Sequence, residues 1–246
     1  MTFSIAEIRK RAEEHRRRME TDPAYRAQSA TEESERKAAE ERDRAASSAA
    51  LRRAEVERVR ASAGIARRAW PFLDSPERTS ALLAVEDFAG STETLLVLAG
   101  GVGCGKTVAA SAWLERAIAD ADRKTWAKGY RTNQERDAEG LIVKAIDLAR
   151  AGTFDREFWD RIGAMNFLVV DDLGTEPLDE KGWMVANVRA LIDRRYDDDR
   201  RTILTTNLNL DAFRERYCAD GGRLLDRLRE RGAFIEVADG SLRRAM

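Results

Sequence analysis

Gly100-Gly101-Val102-Gly103-Cys104-Gly105-Lys106-Thr107 is the stretch on which the reading of this chain turns. It fits G-x-x-x-x-G-K-[ST], a loop that wraps polyphosphates. Leu95-Leu96-Val97-Leu98-Ala99 runs straight into it and reads as a buried parallel strand. Val108-Ala109-Ala110-Ser111-Ala112-Trp113-Leu114 follows and reads as a helix. Strand, glycine loop and helix together are the arrangement this chemistry needs. Glycines allow backbone N–H groups to point inward, and the helix N-terminus adds partial positive charge at the same place. Lys106 has the reach for the β- and γ-phosphates, and Thr107 has a hydroxyl to offer Mg²⁺. Gly100 to Thr107, with Val108, form the candidate nucleotide-binding set, and ATP with Mg²⁺ are the expected ligands.

Bulk properties set limits on the rest. A formal net charge of −1 gives no global basic signal, so any nucleic-acid surface must be local. Two cysteines, Cys104 and Cys218, make neither a disulfide framework nor a zinc site, as expected in a reducing cytosol. Cys104 reads as a small residue in the loop, not a redox centre. No apolar run approaches a membrane span and the N-terminus lacks a signal-peptide core, so a cytoplasmic protein is expected. His15 is the only histidine, which leaves histidine catalysis little to stand on.

Residues 1–69 read as a charged helical arm, rich in Ala, Arg and Glu and poor in aromatics. Ile5, Ile8, Ala12, His15 and Met19 recur at helical spacing until Thr21-Asp22-Pro23 interrupts. From about Thr31 to Arg68 the chain is again a strong helix former. Its large apolar residues, among them Leu51, Val56, Val59 and Ile65, are too sparse for an independent core. Two readings stay open: an arm that docks on a partner protein, and a partly ordered, solvated helix with none.

Composition shifts at Trp70-Pro71-Phe72-Leu73, the expected start of an ATPase domain spanning 70–246. Asp74-Ser75-Pro76-Glu77 looks like a helix start, with Leu82, Leu83, Val85 and Phe88 on its buried face and Gly90-Ser91 at its end. Thr125 to Tyr130 reads as a short second strand. Leu141, Ile142, Ala145, Ile146 and Leu148 read as a helix, and Phe154, Phe158, Trp159 and Ile162 as another amphipathic stretch. Asn166-Phe167-Leu168-Val169-Val170-Asp171-Asp172-Leu173-Gly174 is an apolar strand ending in two acids, as a Walker B element requires. Asp171 is the candidate Mg²⁺ ligand, and Asp172 the candidate that orients or deprotonates the attacking water. Glu176 is a weaker substitute for that base.

Asp171-Asp172-Leu173-Gly174, Leu191-Ile192-Asp193-Arg194-Arg195-Tyr196 and Thr205-Thr206-Asn207-Leu208 resemble the DnaC/DnaI/IstB-like branch of AAA+ ATPases. That branch comprises bacterial and phage helicase loaders and transposition helper ATPases. The resemblance covers roughly residues 80 to 244 and leaves the arm outside. It implies that Asn207 is sensor 1, a neutral donor that helps place water near the γ-phosphate. Arg223-Leu224-Leu225-Asp226-Arg227-Leu228 resembles the family's Arg-x-x-x-Arg-Leu helix. This makes Arg227 the candidate arginine finger across a subunit interface, with Arg223 as runner-up. Arg243 corresponds to sensor 2 in a minimal C-terminal lid. Asp-Asp in place of Asp-Glu in the Walker B element suggests slow or partner-dependent hydrolysis.

The fold expected is a three-layer α/β/α sandwich with a parallel five-stranded sheet, preceded by the arm. The leading functional expectation is a replicative helicase loader that self-associates with ATP and acts on single-stranded DNA. Arg131, Arg136 and Lys144 are candidate DNA contacts, while Phe154, Phe158 and Trp159 are better read as core. One alternative is a transposition helper that binds duplex DNA and recruits a transposase. Another is a nucleotide-gated binding protein with negligible turnover. Core motifs do not separate loader from helper, because the two share them.

Overall fold

The structure, a computed structural model, describes residues 5–127, 140–152, 155–177, 182–219, 222–238 and 240–241. It forms two compact units, Met1–Val56 and Glu57–Met246. Contacts thus divide the chain ahead of the composition shift at Trp70. Val59, Ala63, Ile65 and Ala69 are buried in the core of the second unit, so the last turns of the charged helix belong to it. Too few in number to build a core of their own, these side chains complete another.

In the first unit, α1 (Ile5–Thr21) and the start of α2 (Pro23–Ser62) meet at Asp22. The Asp22 carboxylate accepts from the Ala24 and Tyr25 amides, and Pro23 needs no amide partner in the first turn. Across the bend His15 Nδ1 lies 2.9 Å from the Tyr25 hydroxyl, and Arg18 stacks over the Tyr25 ring. Farther along, Lys37–Glu33 and Arg36–Glu40 form the expected pairs at i,i+4 spacing on an exposed surface. The side chains of Ile5, Ile8 and Ala12 lie outside the described residues.

The second unit is a five-stranded parallel sheet in the order β2-β3-β4-β1-β5. Its strands are β1 (Leu95–Gly100), β2 (Gly140–Lys144), β3 (Phe167–Leu173), β4 (Arg201–Thr206) and β5 (Gly232–Val237). Side chains alternate between faces. Leu96, Leu98, Val169 and Ile203 pack with α4 (Ser80–Gly90), α5 (Lys106–Ala127) and the end of α2. Leu95, Val97, Leu168, Val170 and Leu204 pack on the other face. There they meet α6 (Ala145–Ala151), α7 (Arg156–Ala164), α8 (Trp183–Asp197), α9 (Leu210–Tyr217) and α10 (Arg223–Arg231). The three-layer α/β/α architecture is the one expected. The short α3 (Trp70–Asp74) follows a 3₁₀ turn at Arg67–Ala69.

Four local expectations fail. Thr125–Ala127 continue α5 and form no second strand; Lys128 to Tyr130 lie outside the described residues. The second strand is Gly140–Lys144, part of the stretch read as helix. Its apolar spacing suits a helix, but hydrogen bonding to β3 and to Ala63 O, which accepts from Ile142 N, stabilises the extended form. A Cβ on Gly140 would come within 2.7 Å of Leu114, so glycine permits this close approach to α5. The helix expected from Asp74-Ser75-Pro76 starts instead at Ser80, capped by Thr79, whose hydroxyl accepts from Leu82 N. Leu83, expected inside, is exposed on it.

Candidate functional site

β1 ends at Gly100 and α5 begins at Lys106, so the glycine loop sits at the C-terminal edge of the sheet, above the first turn of a helix. Gly100, Gly103 and Gly105 have φ of 153°, 89° and 88°, values that side chains disfavour. Val102 stands exposed at the tip. Cys104 is buried and turned inward, its thiol donating to Gly101 O at 3.0 Å, as suits a packing residue. Lys106 is buried, and its ammonium donates to Gly100 O (2.9 Å), Gly101 O (2.8 Å) and Asn207 Oδ1 (3.1 Å). A buried cation held by neutral oxygens is stabilised further by an anion, so the loop fits a polyphosphate.

Asp171 stands at the corresponding end of β3 and is 2% exposed. Its Oδ1 accepts from Thr107 Oγ1 at 2.8 Å and from Thr205 Oγ1 at 2.7 Å. Burial pushes its carboxyl above the ordinary 3.8, and the charge of Asp172 adds to this. The two threonine hydroxyls and Lys144, opposite it in β2, act the other way. A cavity of about 110 Å³ opens beside Thr107 and Asp171, lined also by Arg68, Ser111, Lys144 and Asp147. Ser111 Oγ is buried there without a partner among the described residues. A carboxylate, a hydroxyl and a cavity of mixed lining with room for water suit Mg²⁺, which keeps several waters in its shell.

Pairing of β3 with β4 shifts register between Val170 and Leu173, and Asp172 adopts a φ of 58°. That irregularity turns two consecutive carboxylates away from simple strand alternation. The Asp172 amide donates to Thr205 Oγ1 at 2.9 Å, so one hydroxyl touches both acidic residues. Asn207 follows the last residue of β4. The structure therefore brings Lys106, Thr107, Asp171, Asp172 and Asn207 to one edge of the sheet.

A model of IstB-like ATP-binding proteins matches residues 26–246. The chain belongs to this family. The IstB-like match extends into the arm, beyond the span over which the motifs alone show the resemblance. No curated protein sequence matches the chain. Among solved structures, the DnaC helicase loader is 24% identical with a TM-score of 0.50, covering 70% of this chain and 99% of that one. DnaI is 21% identical with a TM-score of 0.50, covering 70% and 89%. At these identities the likeness shows the fold of the IstB-like chain and nothing more.

Arg227 is tied to its own chain, with Asp193 at 3.7 Å, Asp197 at 3.4 Å and its guanidinium 4.2 Å from the Tyr196 ring centroid. Arg223 is exposed at the first residue of α10. Arg243, Arg131, Arg136 and Phe154 lie outside the described residues. Lys144 lines the cavity beside Thr107 and Asp171, and Phe158 and Trp159 pack against the core. Sequence reasoning gave Thr205 no role of its own. Its signal was a hydroxyl directly after the apolar pair Ile203-Leu204, at the polar end of β4, and it is fully buried.

Proposed function

We propose that this protein binds and hydrolyses ATP with Mg²⁺ and uses the cycle to load a replicative helicase on single-stranded DNA. The observation that carries the hydrolytic reading is the convergence of Lys106 with Asn207 and of Thr107 with Asp171 at one sheet edge. Binding exchanges the neutral acceptors of Lys106 for phosphate oxygens and frees Asn207 Oδ1 to hold the attacking water. Asp172 orients that water and takes its proton as the water oxygen bonds to Pγ and the bond to ADP breaks. Thr107 and Asp171 would hold Mg²⁺, which would supply neutralisation of the phosphate charge. Self-association of the core supplies an arginine finger, and the own-chain ion pairs of Arg227 favour the exposed Arg223 for that role.

Likeness to the DnaC and DnaI structures supports the loader reading, with the arm as the segment that docks on the helicase. One observation favours the second reading, a transposition helper that recruits a transposase to duplex DNA: the IstB-like match includes most of the arm. Among the described residues no helix is long and apolar enough to cross a membrane.

Capture of the cognate helicase, with ATP, by the full chain and by a chain starting at Glu57 tests this. Capture by the full chain and its loss on truncation support the loader. Capture of the neighbouring transposase in place of the helicase overturns it in favour of the helper. Turnover that Lys106→Ala does not abolish removes the site assigned to hydrolysis.

A further inference from the structure

Glu176 is 2% exposed, a carboxylate inside the protein just beyond the two acids of β3. It does not face the phosphate loop as a spare base would. One oxygen, Oε2, accepts from the Gly174 amide at 2.7 Å. The other accepts from the Arg216 guanidinium at 3.0 Å and from the Tyr217 hydroxyl. Arg216 also donates to the Glu176 backbone carbonyl at 2.6 Å. Both partners lie on the last turn of α9, the helix that follows Asn207.

The segment held this way is a constrained turn. Asp172 and Gly174 both have positive φ, 58° and 101°. Thr175 closes the turn, donating to Asp172 O through its hydroxyl (2.7 Å) and its amide (3.2 Å). A Cβ on Gly174 would meet Leu208 at 2.9 Å, so the turn also abuts the residue after Asn207. A non-glycine residue in the left-handed region costs of order 1–3 kcal/mol and persists where its surroundings over-determine it. Burial holds the Tyr217 phenol well above its ordinary range, so it remains a donor to the carboxylate.

We infer that Glu176 is a positioning residue: its carboxylate ties the turn that aims Asp172 to the helix that follows Asn207. This rests on the hydrolytic reading above. Arg216 and Tyr217 are the other half of the tie, so a shift of α9 reaches Asp172 and Asn207 together. Glutamine at position 176 has a single acceptor oxygen and must present its NH₂ either to the Gly174 amide or to Arg216, donor against donor.

The test uses the full chain with Glu176→Gln and with Tyr217→Phe, which keeps the ring and removes the hydroxyl. Hydrogen exchange at the amides of Asp172 to Glu176 reads the turn without turnover, and both variants should speed it. Steady-state kinetics should show kcat down about ten- to hundredfold for Glu176→Gln, as expected when a catalytic group is misplaced, with KM within about threefold. In an Asp172→Asn background the same substitution should add only a fraction of that loss, the part that reaches Asn207, because the group it chiefly positions is gone. Unchanged exchange overturns the inference, whatever the turnover. So does a full additional loss in the Asp172→Asn background, or faster exchange with kcat unchanged. If wild type shows no turnover dependent on Lys106, the hydrolytic reading falls, and exchange alone decides whether Glu176 sets the turn.

Discussion

Arg60 offers a quantitative test of how the phosphate-loop helix is anchored. Its side chain is buried at the end of α2, donating through Nε to Glu115 Oε2 at 2.7 Å and pairing through a terminal nitrogen with Asp74 at 2.8 Å. Glu115 stands on α5, two turns along the stripe that carries Thr107 and Ser111, so Arg60 braces the helix that follows the glycine loop. The Asp74 side chain is 69% exposed and contributes little, about 0.5 kcal/mol. The Glu115 pair, 5% and 22% exposed, is a charge-assisted bond worth about 2 kcal/mol. Arg60→Met keeps the buried stem, loses both ion pairs and leaves Glu115 able to reach water, for a net cost of about 2 kcal/mol. For a chain of this size that lowers the melting temperature by about 4–8 °C. All five tryptophans lie within Glu57–Met246, so tryptophan fluorescence during urea or thermal unfolding reports this unit and not the arm. A cycle of Arg60→Met, Glu115→Gln and the double variant should give a coupling of about 1–2 kcal/mol. Additive losses, or no loss in Arg60→Met, would refute the brace.

Two further outcomes follow from the site. Arg223→Ala should lower assembled ATPase activity about a thousandfold or more while sparing ATP binding, and Arg227→Ala should chiefly lower stability, as loss of its ion pairs implies; the reverse pattern in turnover and melting curves would return the finger role to Arg227. Burial raises the Asp171 carboxyl, so Mg²⁺-dependent nucleotide binding should fade on acidification at a higher pH than a free aspartate would give, as read by binding titrations across pH. The sign for stability is opposite. The folded chain takes up that proton more readily than the unfolded chain, so lowering the pH toward the ordinary 3.8 favours the folded state through this group. Asp171→Asn should remove both dependences.

The phosphate loop, the acidic end of β3 and the polar end of β4 were legible because each is a local pattern. Each is a short run whose residue types and spacing are recognisable without knowledge of what they meet in the fold. The layers were legible for the same reason, since apolar strands and amphipathic helices alternate along the sequence. What went astray was decided by partners distant in sequence. Gly140–Lys144 is a strand because β3 and Ala63 satisfy its backbone, and no pattern within five residues reveals that. Val59 to Ala69 read as the tail of a solvated arm, yet a few apolar side chains suffice when a sheet and α5 supply the rest of the core. Glu176 and Arg227 look in sequence like a spare base and a free cation. Tertiary structure gives the first a buried place between Gly174, Arg216 and Tyr217, and gives the second two carboxylates of its own chain. The sequence by itself determined the class of fold and the motifs of an ATP-binding family. Only the folded chain decided where each charge points, because that depends on which groups burial brings within hydrogen-bonding distance.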